Sequence, residues 1–203
     1  LQEALDCFYN ALEHEPDYAP AHAGIVMALG TGMIWGGIAP DKFGTAISHA
    51  QRAYELLPEN PTVLWSMGMI EFISPNPIEN TLHWVDQAVA LEPSNAAYLA
   101  AQAYLLAQTG RHEEGLELCK KVHLLSAGDM RQPFINYMVS NVHICAGQFE
   151  QGVKTMLLSD KLQSIDFVWF MSGFCRFSLG QVDEAAAALI MTARAPWFEE
   201  AEE

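Results

Sequence analysis

The residues of this chain best suited to chemistry are seven histidines, four cysteines and a glycine-rich run. Their spacing argues against most of that chemistry. Gly30-Thr-Gly-Met-Ile-Trp-Gly-Gly37 has the glycines of a phosphate cradle, but no Gly-Lys-Ser/Thr follows it. It reads instead as a flexible apolar insertion. No Gly-x-Ser-x-Gly elbow positions a nucleophile. No His-x-x-x-His or His-Glu-x-x-His pair occurs, so no two imidazoles share a helix face as zinc ligands. His49 and His83 are expected as surface or hairpin-packing imidazoles. Cys7, Cys119, Cys145 and Cys175 form no Cys-x-x-Cys pair and are expected as reduced thiols buried in helices. Glu113, Glu114 and Glu117 form a charged first turn of the kind that caps a helix in solvent. The expectation is no catalytic residue, no metal, no cofactor and no enzyme activity in this chain.

Charge narrows the partners. The formal net charge is −15, and only ten Lys and Arg are present, scattered along the chain. No stripe of cations could track phosphates, which excludes direct nucleic-acid binding of the usual kind. No apolar run approaches the ~18 residues of a membrane span. The most apolar stretch, Phe167–Met171, is far shorter.

The elements that carry these residues repeat. Ala4, Phe8, Ala11 and Pro16 return as Ala46, Ala50, Ala53 and Pro58, then as Thr81, Val85, Ala88 and Pro93. The prolines are 42 and 35 residues apart. Further on the proline is lost and a turn replaces it as the marker. Gly110-Arg-His-Glu-Glu-Gly115, Gly147-Gln-Phe-Glu-Gln-Gly152 and Gly180-Gln-Val-Asp-Glu-Ala185 are 37 and 33 residues apart. Each offers a glycine for a left-handed helix end and an acid for the next first turn. Helices are expected over 1–14, 18–30, 42–56, 61–73, 78–91, 95–108, 112–125, 131–146, 149–159, 165–179 and 182–194.

A period near 34 with glycine at the inner turn and proline after the second helix resembles the tetratricopeptide repeat. Gly68, Ala103, Ser140 and Gly173 fit its small slot in the first helix. Ala46, Thr81, Gly115, Gly152 and Ala185 fit the small slot in the second, and Leu64, Leu99 and Trp169 the opening large slot. The resemblance implies an all-α fold. It is an α-solenoid of one unpaired helix plus five hairpins, wound as a right-handed superhelix. Residues 1–203 are expected as one such domain, a fragment of a longer protein because Leu1 begins inside a helix. Within the superfamily, Pro16-Asp17-Tyr18-Ala19-Pro20-Ala21 and the long first unit look like the repeat modules of bacterial regulators. Those modules follow an adenylate or guanylate cyclase domain or a winged-helix domain.

The same resemblance implies a concave groove lined by first helices. Projected onto this chain it takes Met27, then Trp65, Met69 and Phe72, then Tyr104 and Gln108. Phe134, Tyr137, Met138 and Asn141 follow, and finally Phe170, Phe174 and Phe177. These are aromatic, thioether or small positions, so nothing would offset a desolvated peptide carboxylate. Three alternatives stand: they pack between hairpins, they are covered by a subunit or parent segment, or they hold an external apolar ligand. Phe167 to Phe177 is apolar almost all round, so cover is expected over its groove side. In the insertion Thr31–Phe43, Ile34, Trp35, Ile38 and Phe43 either fold back as a lid or meet a partner. The function expected is a non-enzymatic protein–protein interaction scaffold in the cytoplasm. It would be the regulatory module of a bacterial signalling or transcription-regulatory protein. Its partner would be a protein or peptide with an apolar segment, and a homodimer is possible on this pattern. A homo-oligomerisation scaffold, or the repeat portion of a nucleotide cyclase, are the alternatives.

Overall fold

The computed structural model describes residues 1–34, 38–129, 131–158 and 166–192, the last stretch with side chains from 170 to 190. Every regular element among them is helical. The α-helices are α1 (Gln2–His14), α2 (Ala19–Ile34), α3 (Phe43–Leu56), α4 (Pro61–Ile73), α5 (Ile78–Leu91), α6 (Ala96–Gln108), α7 (His112–Leu125), α8 (Gln132–Cys145), α9 (Phe149–Leu157), α10 (Asp166–Ser178) and α11 (Val182–Thr192). A short 3₁₀ turn, Pro40–Lys42, leads into α3. Contacts gather into two compact units, Leu1–Tyr98 and Leu99–Glu203.

The repeat is visible in the turns. Glu15, Leu57 and Glu92 end α1, α3 and α5 in nearly one conformation, with φ of −138°, −142° and −127°. In each case the cap N–H donates back to the carbonyl four residues earlier, on Ala11, Ala53 and Ala88. Asn60 and Asn95 then accept from the backbone of the next helix, Asn60 from Thr62 and Val63 and Asn95 from Ala97 and Tyr98. These bonds satisfy orphan donors at a helix start. The three glycine turns also share one geometry. Gly110, Gly147 and Gly180 have φ of +85°, +73° and +75°. The residue after each donates to a carbonyl five residues back, Arg111 to Leu106, Gln148 to His143 and Gln181 to Arg176. Only glycine takes that left-handed position without steric cost. After α7, where the proline is lost, Gly128 at φ +80° turns the chain instead.

Small residues let the hairpins close. A β-carbon added at Gly115 would sit 2.8 Å from the Ala103 carbonyl oxygen, and one at Gly152 3.3 Å from that of Ser140. In the first unit, Ile25, Val26, Val63 and Val85 are fully buried together with Ala46, Ala50, Ala53 and Ala88. In the second, Ala103, Ala107, Cys119 and Val142 form one core cluster.

The glycine-rich run differs from expectation. Gly30 to Ile34 continues α2, and its glycines are packing notches within a helix. A β-carbon at 30 would lie 2.5 Å from Met69 Cγ, and one at 32 would lie 2.6 Å from Ile38 Cγ1. Chain context thus overrides the local weakness of glycine as a helix former.

Candidate functional site

The groove positions projected from the repeat do not behave alike. In the first unit Trp65 is half-buried, with its ring edge to face on Tyr98 at 4.9 Å. Met27 and Phe72 are also half-buried. Met69 is buried with Val26 and Ala50, because it fills the notch at Gly30. In the second unit Tyr104 and Tyr137 face each other at 6.5 Å between centroids. Burial raises both phenol pKa values, with Cys145 adding to the rise at Tyr104 and Tyr104 to that at Tyr137. Gln108 is exposed and donates to Cys145 Sγ, and Phe134 is half-buried. Met138 and Asn141 are buried, and the Asn141 amide donates to the Tyr137 carbonyl at 2.8 Å. Met69, Met138 and Asn141 are therefore buried among the protein's own side chains.

On α10 the picture reverses. Phe170, Phe174 and Phe177 stand on one side of the helix, and Phe177 is 66% exposed. Phe149 of α9 meets Phe174 edge to face at 6.2 Å. Cys175 and Ser172 form the opposite, buried side, and Gly173 is buried against Leu189. The side chains of Phe167, Val168 and Trp169 lie outside the described residues.

The insertion turns back on α2. The Ile38 N–H donates to the Gly32 carbonyl at 3.1 Å, and its half-buried side chain packs on the Leu5, Ile25 and Leu29 cluster. Phe43 is half-buried at the start of α3, Ile34 is exposed, and Trp35 lies outside the described residues.

Of the thiols, Cys119 and Cys175 are buried and Cys145 is half-buried, while Cys7 is exposed on α1, contrary to expectation. Its face of that helix carries Glu3, Asn10 and His14, all exposed, so no core lies over it. Burial pushes the Cys119 thiol up to about 12 and Cys175 up to about 11, which leaves both inert as nucleophiles at neutral pH. Among the described residues no cluster of three His, Cys, Asp or Glu could hold a metal ion. No helix among them is long and apolar enough to cross a membrane.

Sequence projection missed a second feature of the second unit. A cavity of about 1020 Å³ opens between α7 and α9, over α8. Its lining runs along α7 from Glu113 to Leu124 and on to Ser126, just past the helix. Leu116, Ile135 and Val139 make its floor apolar, and Glu113, Glu114 and Glu117 crowd one end. Leu124 and Leu158, 79% and 68% exposed, flank the other. In the repeat, Tyr54 of α3 and Trp84 of α5 correspond to His123 and Thr155 here. Tyr and Trp giving way to the more polar His and Thr was the readable signal.

No family model matches the sequence, and no curated protein does. Solved structures share its architecture. PilF of Pseudomonas aeruginosa superposes with a TM-score of 0.60 at 15% identity, over 87% of this chain and 77% of that one. MamA of Desulfovibrio magneticus RS-1, from residue 41 to its end, gives 0.55 at 14% identity, over 84% and 93%. YrrB, described as a TPR protein with an unusual peptide-binding site, gives 0.51 at 12% identity, over 94% and 92%. At such identities the likeness speaks for the fold, and with the repeated turns it shows an α-solenoid of tetratricopeptide helical hairpins.

Proposed function

We propose that the chain is a non-catalytic interaction scaffold that binds an apolar segment of a partner protein along its first helices. The observation that carries this reading is the row of Phe170, Phe174 and Phe177, large rings open to water on one side of α10. Leaving such area in water is costly, at about 25 cal/mol per Å². A helix or strand with apolar anchors would recover that cost, with Tyr104 and Tyr137 as further aromatic contacts. Peptide binding by YrrB, a structural neighbour, agrees with the reading. A finer assignment, the regulatory module of a bacterial signalling or transcription protein, rests on the likeness of Pro16–Ala21 and the long first unit to such modules.

Replacing Phe170 and Phe174 with Ser tests the scaffold reading. Loss of partner capture or self-association with helix content retained supports it. Normal association by a folded double variant would refute it, and unfolding would mark the rings as core. Sequencing the gene upstream of Leu1 tests the finer assignment: a winged-helix or cyclase domain supports it.

A further inference from the structure

The cleft between α7 and α9 lies on second helices, whereas the aromatic row stands on α10. We propose that it is a separate docking site for a basic, leucine-bearing amphipathic helix of a partner protein. Shape comes first. The lining from Glu113 to Ser126 spans about 20 Å at the helical rise of ~1.5 Å per residue. A cavity of about 1020 Å³ stretched over that length suits a rod better than a compact metabolite.

Chemistry selects the rod. Leu116, Ile135 and Val139 offer an apolar floor, and Leu124 and Leu158 extend it at one end. A leucine stripe would cover them. At the other end the carboxylates outnumber the cations. Glu113, Glu114 and Glu117 line the cleft, with Lys120 beside Glu117 and Arg111 beside Glu114. The dipole at the start of α7 offsets part of that excess. Lys120 pairs with Glu117 and Arg111 with Glu114, which leaves an excess of one carboxylate, Glu113, at this end. The net charge of −15 makes a second copy of this chain a poor occupant and a basic partner a good one.

The first unit shows what a filled seam looks like. Tyr54 and Trp84 meet edge to face at 5.4 Å between α3 and α5. The corresponding His123 and Thr155 both line the open cleft. The site can therefore be closed by borrowing the protein's own solution.

The probe is a synthetic amphipathic helix about four turns long, with lysines on its first half and a leucine stripe on its second. Its control carries glutamates in place of the lysines. The wild-type chain should bind the lysine peptide saturably, and more weakly as salt rises. Binding should fall at least about tenfold in His123→Tyr/Thr155→Trp. Absence of saturable binding, equal binding of the glutamate peptide, or wild-type affinity in a folded His123→Tyr/Thr155→Trp chain would overturn the proposal. If circular dichroism shows that variant misfolded, Glu113→Gln/Glu117→Gln decides: weaker binding supports the site, and unchanged binding overturns it.

Discussion

Between α3 and α5 the rings of Tyr54 and Trp84 touch, whereas between α7 and α9 the same two places hold His123 and Thr155 around a cavity. The inner positions of the hairpins follow suit. Leu64 is buried beneath a half-buried Trp84 in the first unit, and the corresponding Asn136 and Thr155 are polar in the second. Both units keep the small crossing residues, while their turns differ: extended caps at Glu15, Leu57 and Glu92 in the first, left-handed glycines at 110, 128, 147 and 180 in the second. A solenoid therefore separates two tasks. Turns and crossings set the hairpin, and the residues beside them decide whether a seam is filled or left for something else.

The largest test of this comparison is to remove the plug. Trp84 packs on Leu64, Ala88 and Tyr98 as well as on Tyr54. Trp84→Ala should destabilise the first unit by about 3 kcal/mol, toward the low end for Trp→Ala because the ring is only half-buried. Thr155→Ala, at the corresponding place, removes little more than a weak bond from Gln151 and should cost less than about 1 kcal/mol. Urea unfolding of the two variants measures both. Equal losses would mean that the second seam is as tightly packed as the first.

The hairpins were legible because local signals agreed. Proline at 16, 58 and 93, glycine at 110, 147 and 180, and alanine at 46, 50 and 53 each have one physical reading. The ends of α4, α5 and α7 fall where the pattern places them. Side-chain exposure was less legible, because it depends on what the neighbouring hairpin offers. Met69 is hidden by a glycine on another helix, which no periodicity within α4 reveals. Gly30 to Ile34 looked like a loop since glycine disfavours helices in isolation, yet packing against Met69 and Ile38 uses the missing side chains. The cleft was hidden for the opposite reason. Glu113 and Glu114 lie in the first turn of α7 as read, with Glu117 one turn on, and the void beside them depends on what His123 and Thr155 leave unfilled across the seam.

A second, smaller test concerns crossing distance. A methyl at Gly115 would press within 2.8 Å of the Ala103 backbone oxygen, which has no rotamer to escape into. Gly115→Ala should cost about 1–2 kcal/mol, overpacking exceeding the ~1 kcal/mol that alanine gains in a helix. At Gly68 the nearest atom would be Val85 Cγ2 at 3.4 Å, an ordinary contact. Gly68→Ala should be neutral or stabilising by up to about 1 kcal/mol. Gly173→Leu, with Leu189 Cγ at 2.8 Å from a β-carbon and the Ala185 oxygen at 3.3 Å, should cost about 1–3 kcal/mol. Thermal melts that rank Gly68→Ala below Gly115→Ala would contradict the assigned crossings.

The smallest effect comes from a third way of finishing the same inner position. Where the next hairpin has Leu64 and Trp84, the first has His22 and His49, whose Nδ1 atoms lie 2.7 Å apart. His22 Nε2 lies 2.9 Å from the Pro16 carbonyl, which can only accept, so that nitrogen donates. His22 Nδ1 is then the acceptor for His49 Nδ1–H when both rings are neutral. His22 is only 8% exposed. Tyr9 of α1 stands edge-on to His49 at 5.9 Å, and Asp17 pairs with Arg52 one turn along α3. Burial first, and His22 second, lower the His49 pKa below its ordinary 6.5. A lowered folded pKa means that the unfolded chain takes up more protons as pH falls. The stability held by neutral His49 is thus complete above about pH 6.5 and is lost on acidification through the folded pKa. Between about pH 7.5 and 5 the unfolding midpoint of the wild type should drop further than that of His49→Gln, which cannot titrate there. Parallel pH profiles for the two chains would show that the imidazole pair is a packing element without proton linkage. A steeper wild-type profile would set it apart from the Leu64–Trp84 seam, which has nothing to titrate.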